Sequence, residues 1–138
     1  MADQNFDELR RNLVPAGTWG NVTNVRGQYD FDAFAEDDVV ALCRVPANCV
    51  IDNLRYVVAA LGASTAYTIG YRSKDGLTVD ADAFVTVADS SGATSGIGNF
   101  IPLAVTKEGY ITMTVTGAAA GAGAKLGDVV ASYQYENL

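Results

Sequence analysis

The chain contains no histidine. That absence removes Ser-His-Asp and Cys-His catalysis, imidazole-ligated zinc and proton shuttling by an imidazole near neutral pH. Cysteine is almost as scarce. Cys43 and Cys49 are the only two, their spacing is not Cys-x-x-Cys, and no second pair completes a zinc site. Six residues apart across a Pro-containing turn, they could face each other on paired strands; in a chain made in the cytoplasm they read instead as two small buried hydrophobes. Positive charge is also short: nine Lys plus Arg stand against sixteen Asp plus Glu, a formal charge of -7. Such a field repels phosphate backbones and anionic lipid, so no nucleic acid and no membrane surface is expected as a partner. Apolar runs such as Val57 to Gly62 fall far below the roughly 20 residues of a membrane-spanning helix. The first residues, including Asp3, Gln4, Asn5, Asp7 and Glu8, are not the basic and then apolar opening of a secretory signal, and synthesis in the cytoplasm is expected.

What is present is enough for one core. In 138 residues, 49% are hydrophobic and 18% charged, which suits a single folded domain and not a charge-rich unfolded chain. Asp3 to Leu13 carries a helix signal, with Phe6, Leu9 and Leu13 on one stripe and Asn5 with Glu8 as a capping box; Pro15 and Gly17 end it. A helix of about ten residues is marginal alone in water, so its stripe must pack on its own domain or on a neighbouring subunit.

From Thr18 onward the period is two. Strands are expected at Asp38 to Val45, stopped by Pro46; at Val50 to Leu61, with Val50, Leu54, Tyr56 and Val58 on one covered face and Ile51, Val57 and Leu61 on the other; and at Ala66 to Arg72, before an Asp75-Gly76 turn. Further strands follow at Ala83 to Ala88, at Asn99 to Val105 around Pro102, at Gly109 to Thr116 and at Asp128 to Tyr135. Asp89 to Gly98 reads as a Ser/Gly loop, Gly117 to Gly123 as an Ala/Gly stretch, and Thr112, Thr114 and Thr116 as a solvated strand face. About eight strands at spacings near 10 to 15 residues predict an all-β fold, an antiparallel β-sandwich of jelly-roll type with a short N-terminal helix or arm. A small closed barrel fits the alternation nearly as well. The expected organisation is an arm over residues 1–37 and a sandwich over 38–138.

No side-chain set for covalent chemistry emerges. Asp30, Asp32, Glu36, Asp37 and Asp38 crowd carboxylates before a strand, but lack the Asp-x-Asp-x-Asp-Gly spacing and the distal Glu of a calcium loop; a solvated loop or an acidic patch facing a basic partner is the reading. Asp75, Asp80 and Asp82 would need a cleft to act as a glycosidase pair. Gly92, Gly96 and Gly98 lack the Gly-Lys-Ser/Thr ending of a phosphate loop, and Ser64, Ser90, Ser91 and Ser95 lack a base. Tyr67, Tyr71, Tyr110, Tyr133 and Tyr135 admit a carbohydrate platform, although strand tyrosines usually cap a core. Trp19 is a core residue or an interface anchor. No catalytic residue, cofactor or metal is expected. The candidate interface is Phe6, Leu9, Leu13 and Trp19, each contributing roughly 1.5 to 3 kcal/mol if fully buried, together with Asp30, Asp32, Glu36 and Asp37.

The stretch Arg44-Val-Pro-Ala-Asn, continued by Val50-Ile-Asp-Asn-Leu-Arg-Tyr-Val-Val and Ala63-Ser-Thr-Ala-Tyr-Thr-Ile-Gly-Tyr to Asp75-Gly76, resembles small virion proteins of tailed bacteriophages. Ile111-Thr-Met-Thr-Val-Thr-Gly, the Ala/Gly stretch and Val129-Val-Ala-Ser-Tyr extend the likeness over roughly residues 38–136. The resemblance implies a structural, non-enzymatic virion protein: a head decoration, cement or head-fibre subunit at the capsid surface. Its implied partner is the major capsid protein or another virion protein, and its implied state a homo-oligomer such as a trimer. A neck, tail or fibre-base subunit, or a carbohydrate-binding sandwich, are the alternatives.

Overall fold

The computed structural model describes residues 22–135, which form nine strands and no helix. The strands are β1 (Val22–Asp30), β2 (Val39–Val45), β3 (Cys49–Val58), β4 (Ala66–Ser73), β5 (Val79–Val87), β6 (Thr94–Ile97), β7 (Leu103–Val105), β8 (Gly109–Thr116) and β9 (Leu126–Tyr135). A first sheet runs β1-β9-β3-β6, with β7 also on β3; a second runs β2-β8-β4-β5. All pairings are antiparallel.

β6 and β7 are two halves of one interrupted edge, pairing with Arg55–Val58 and Cys49–Ile51 of the same strand. Counted as one, they give a nested order: β1 pairs β9, β2 pairs β8, β3 pairs β6/β7, and β4 pairs β5. A long antiparallel ribbon folded over on itself produces this order, which is that of a jelly roll. The sandwich therefore has two loop ends. One collects 31–38, 59–65, 88–93 and 117–125; the other collects 46–48, 74–78 and 106–108, together with the start of β1.

Alternation fills the core. Tyr67 and Ile69 of β4, Ile111, Met113 and Val115 of β8, and Val129 and Ala131 of β9 are fully buried between the sheets. In β3 the buried residues are Cys49, Ile51, Leu54 and Val58, while Val57 is 58% exposed. The expected assignment of Ile51 and Leu54 to opposite faces fails because the register shifts between Ile51 and Asn53. A bulge there adds one residue and turns Leu54 inward. The second face of β3 is thus solvated rather than covered.

Three other expectations change. β1 lies in the segment read as arm, and its alternation, with Arg26 and Gln28 outward and Gly27 inward, is too polar to announce a strand. β6 lies inside the segment read as a Ser/Gly loop. Thr112 is only 4% exposed, because β5 arches over its neighbour Gly70: the register jumps from Ile69↔Val85 to Tyr71↔Asp80, and a Cβ at Gly70 would collide with the Asp80 carbonyl and Ala81. Gly27 has the same function between the sheets, where a Cβ would strike the Leu42 carbonyl. The Asp75-Gly76 turn forms as its chemistry predicts, with Gly76 at φ 77°.

Candidate interaction surfaces

The carboxylates read from the sequence separate into distinct environments. Asp30 and Asp32 are exposed and tie the Ala/Gly loop to the end of β1: Gly123 N–H donates to Asp32 Oδ1 at 2.7 Å and Lys125 N–H to Asp30 Oδ1 at 2.9 Å. The Phe31 N–H bonds the Lys125 carbonyl (2.8 Å) between them, and the Phe31 ring is completely buried, in edge contact with Tyr29 and Phe34. Asp37 holds a left-handed φ of 67° while its N–H bonds the Val115 carbonyl. Glu36, Asp37 and Asp38 are exposed. Phe6, Leu9, Leu13 and Trp19 lie outside the described residues, as does residues 1–21 of the expected arm; residues 22–37 pack on the body through β1 and Phe31.

Asp75 does not converge with Asp80 and Asp82 on a cleft. It accepts from Ser73 Oγ (2.5 Å), from the Leu77 N–H (2.9 Å) and from Lys107 Nζ (3.0 Å). These donors hold its carboxyl at about 2, well below the usual range. On β5, a hydrogen bond between the Asp80 and Asp82 carboxyls pushes Asp80 upward. No disulfide joins Cys43 to Cys49; burial drives the Cys43 thiol up to about 12, which leaves it inert, and Cys49 Sγ donates to the Pro46 carbonyl at 3.2 Å. Among the described residues no three His, Cys, Asp or Glu side chains are grouped to hold a metal ion.

The tyrosines are mostly built into the sandwich rather than arrayed as a platform. Tyr67 is fully buried and its hydroxyl meets Thr94 Oγ1 at 2.6 Å, linking the second sheet to β6 of the first. Tyr71 donates to the Lys107 carbonyl at 2.6 Å. Tyr133 and Tyr135 stack edge to face, ring centroids 6.0 Å apart, beside Pro46 and Ala47.

The two outer faces differ in character. The first sheet presents polar ladders: Arg26 forks onto both oxygens of Asp128 (3.0 and 2.7 Å), and Ser132 Oγ donates to Asn24 (2.6 Å). The second sheet presents Val39, Ala41, Thr68, Thr86 and Thr114, with Arg44 and Arg72 in one row on either side of Tyr110 at its end. A shallow groove on it is bounded by Val39, Ala41, Tyr110, Arg72, Lys74, Asp75 and Val79. Along the side where β5 adjoins β6 and β7, Leu77 (80% exposed), Val79, Ile97 and Ile101 (89%) stand in solvent. Sequence reading missed these aliphatics; exposed Leu77 beside the Asp-Gly turn and Ile101 beside Pro102 were the available signals, since turn tips rarely carry large apolar side chains without a partner.

No protein-family model matches the sequence, and no curated protein matches it. Solved structures do match in shape. A chain in the capsid of Ralstonia phage GP4 has a TM-score of 0.70 at 18% identity, over 97% of this chain and 97% of that one. A chain of the cyanophage Pam1 capsid asymmetric unit gives 0.67 at 17%, over 99% and 100%. One in the acid-stable capsid of Helicobacter pylori bacteriophage KHP30 gives 0.60 at 16%, over 85% and 90%. At such identities the likeness establishes the fold: an all-β sandwich of the kind that these phage capsids contain.

Proposed function

We propose that this chain is a non-enzymatic structural protein of a tailed-phage virion that binds the outer surface of the head as a decoration or cement subunit and reinforces contacts between capsomers. One observation carries the reading. The match to the Pam1 and GP4 capsid chains is nearly complete in both directions, so the likeness is to whole small subunits of about this length rather than to one domain of a large shell protein. The side chains agree with a role in holding surfaces together. Asp75 is held in its own turn, the half-buried Cys43 thiol is pushed up to about 12, and the outer faces carry aliphatics and charges suited to contact.

The working state is a homo-oligomer, a trimer in the favoured form. Phe6, Leu9, Leu13 and Trp19 supply apolar burial and Asp30, Asp32, Glu36 and Asp37 meet a basic surface of the major capsid protein. Binding only to the expanded shell stabilises that state by its differential affinity.

The test is sedimentation of the purified chain with undecorated heads, followed by heating. Saturable co-sedimentation and a higher disruption temperature are the expected results. Failure to bind heads while binding tails or necks would move the protein elsewhere in the virion, and failure to bind any virion part would overturn the reading.

A further inference from the structure

We propose that the groove on the outer face of the second sheet receives residues 3–13 of a second copy of this chain, so that subunits are joined by exchanged N-terminal segments. This rests on the homo-oligomeric reading above and names the surface that reading leaves open.

Three observations converge on that groove. The first is its chemistry. It is floored by Ala41, Tyr110 and Thr112 and flanked by Val39 (41% exposed) and Val79 (54% exposed), with its charged side chains confined to one end. Exposed aliphatics grouped along one groove mark a contact surface where scattered single ones do not, and the opposite face of the molecule is instead closed by its own Arg26–Asp128 fork.

The second observation is charge. At the groove's end stand Arg72 and Lys74, neither with an ion-pair partner among the described residues, whereas Arg26, Arg44 and Lys107 each have one. The N-terminal segment brings Asp3, Asp7 and Glu8 ahead of Arg10 and Arg11, beside the apolar stripe of Phe6, Leu9 and Leu13. The carboxylates of the first half of the segment thus match the two unpaired cations of the groove, whose own Asp75 is already engaged by Ser73, Leu77 and Lys107.

The third is position. β1 begins at the end of the sandwich formed by 46–48, 74–78 and 106–108, and the groove opens at that same end, between Arg72, Lys74 and Gly76. In a ring of copies with parallel axes, each segment departs at the level where its neighbour's groove opens. Residues 14–21 span up to about 26 Å when extended, several times the roughly 5 Å spacing of neighbouring strands, so the crossing is within reach.

The experiment uses the full-length chain and measures its mass in solution. Val39→Asp with Val79→Asp, both at exposed positions, and separately Arg72→Glu with Lys74→Glu, should each reduce the oligomer to single chains, with the β-type circular-dichroism spectrum and a cooperative melt retained and the melting temperature no longer dependent on concentration. Adding Asp7→Lys and Glu8→Lys to the Arg72→Glu/Lys74→Glu chain should restore the oligomer. A bismaleimide cross-link between Leu9→Cys and Thr68→Cys, in a Cys43→Ser/Cys49→Ser background, should join different chains. A cross-link within one chain, or an oligomer indifferent to all four groove substitutions, overturns the proposal while leaving the head-binding reading intact. A wild-type chain that is a monomer both free and on heads removes the oligomeric reading itself.

Discussion

At the scale of the single residue, the sandwich depends on places where a side chain is absent or a carboxyl is fixed. Gly70→Ala adds a methyl against the Asp80 carbonyl and the Ala81 backbone, and backbone cannot swing aside as a flexible side chain would. The expected loss is about 1 to 3 kcal/mol, read as a lower denaturation midpoint; Gly76→Ala, where a Cβ meets nothing within 4 Å but the φ is 77°, should act through backbone conformation alone. Tyr67→Phe removes the hydroxyl that joins β4 to β6 through Thr94 and leaves the Thr94 hydroxyl without that partner. It should cost about 1 kcal/mol, against about 3 to 5 for Tyr67→Ala at this fully buried site. Asp75 gives a pH signature. Its folded carboxyl titrates at about 2, below its unfolded value, so its contribution is complete above the unfolded value near 4 and is lost as pH falls through about 2. Asp75→Asn should therefore melt below the wild type at pH 7, and the two should converge toward pH 2. Equal melting at both pH values would contradict the Ser73, Leu77 and Lys107 bonds.

At the scale of elements, what was legible in the sequence follows where alternation was unbroken. β4, β8 and β9 keep strict period two, and each appears within two residues of its expected bounds. β3 was found but its faces were misassigned, because a bulge inserts one residue without any residue type that marks it. The same region explains β6 and β7. Opposite the bulge the edge strand breaks, and the chain runs outward from Gly98, whose N–H still bonds the Leu54 carbonyl at 2.8 Å, past Pro102. Four residues rich in Ser and Gly then pair only because β3 offers them an open edge, which is tertiary context that composition does not carry. The acidic cluster shows the complementary limit. Five carboxylates in sequence reveal charge, but nothing local says that Asp30 and Asp32 would accept the N–H groups of a loop more than ninety residues away. That tie is testable by itself. Asp32→Ala with Asp30→Ala should accelerate amide hydrogen exchange at Gly123 and Lys125 while leaving the protected amides of β8 and β9 unaltered; exchange unchanged at Gly123 would mean the loop holds its shape without them.

At the scale of the whole molecule, the net charge conceals a polarity. Among the described residues, Asp30, Asp32, Glu36, Asp37, Asp38 and Asp89 gather at one end of the sandwich with Lys125 as the cation there, and Lys125 spends its ammonium on the Ala122 and Gly123 carbonyls. At the other end Arg44, Arg72, Lys74 and Lys107 outnumber Asp75, Asp80 and Glu108. The described residues therefore form a charge dipole along the strand direction, which favours approach to a basic surface acidic end first. Steering of this kind acts on the association rate and is screened within a Debye length of about 8 Å at physiological salt. Glu36→Gln, Asp37→Asn and Asp38→Asn together should slow association with undecorated heads by about tenfold or more at low salt, with a much smaller change in the dissociation rate, because these exposed groups contribute little once contact is made. Raising salt should slow the unsubstituted chain toward the triple variant. If instead the variant associates at the unsubstituted rate at low salt while still binding heads, the acidic end points away from the shell and contact is made through the opposite end or a sheet face.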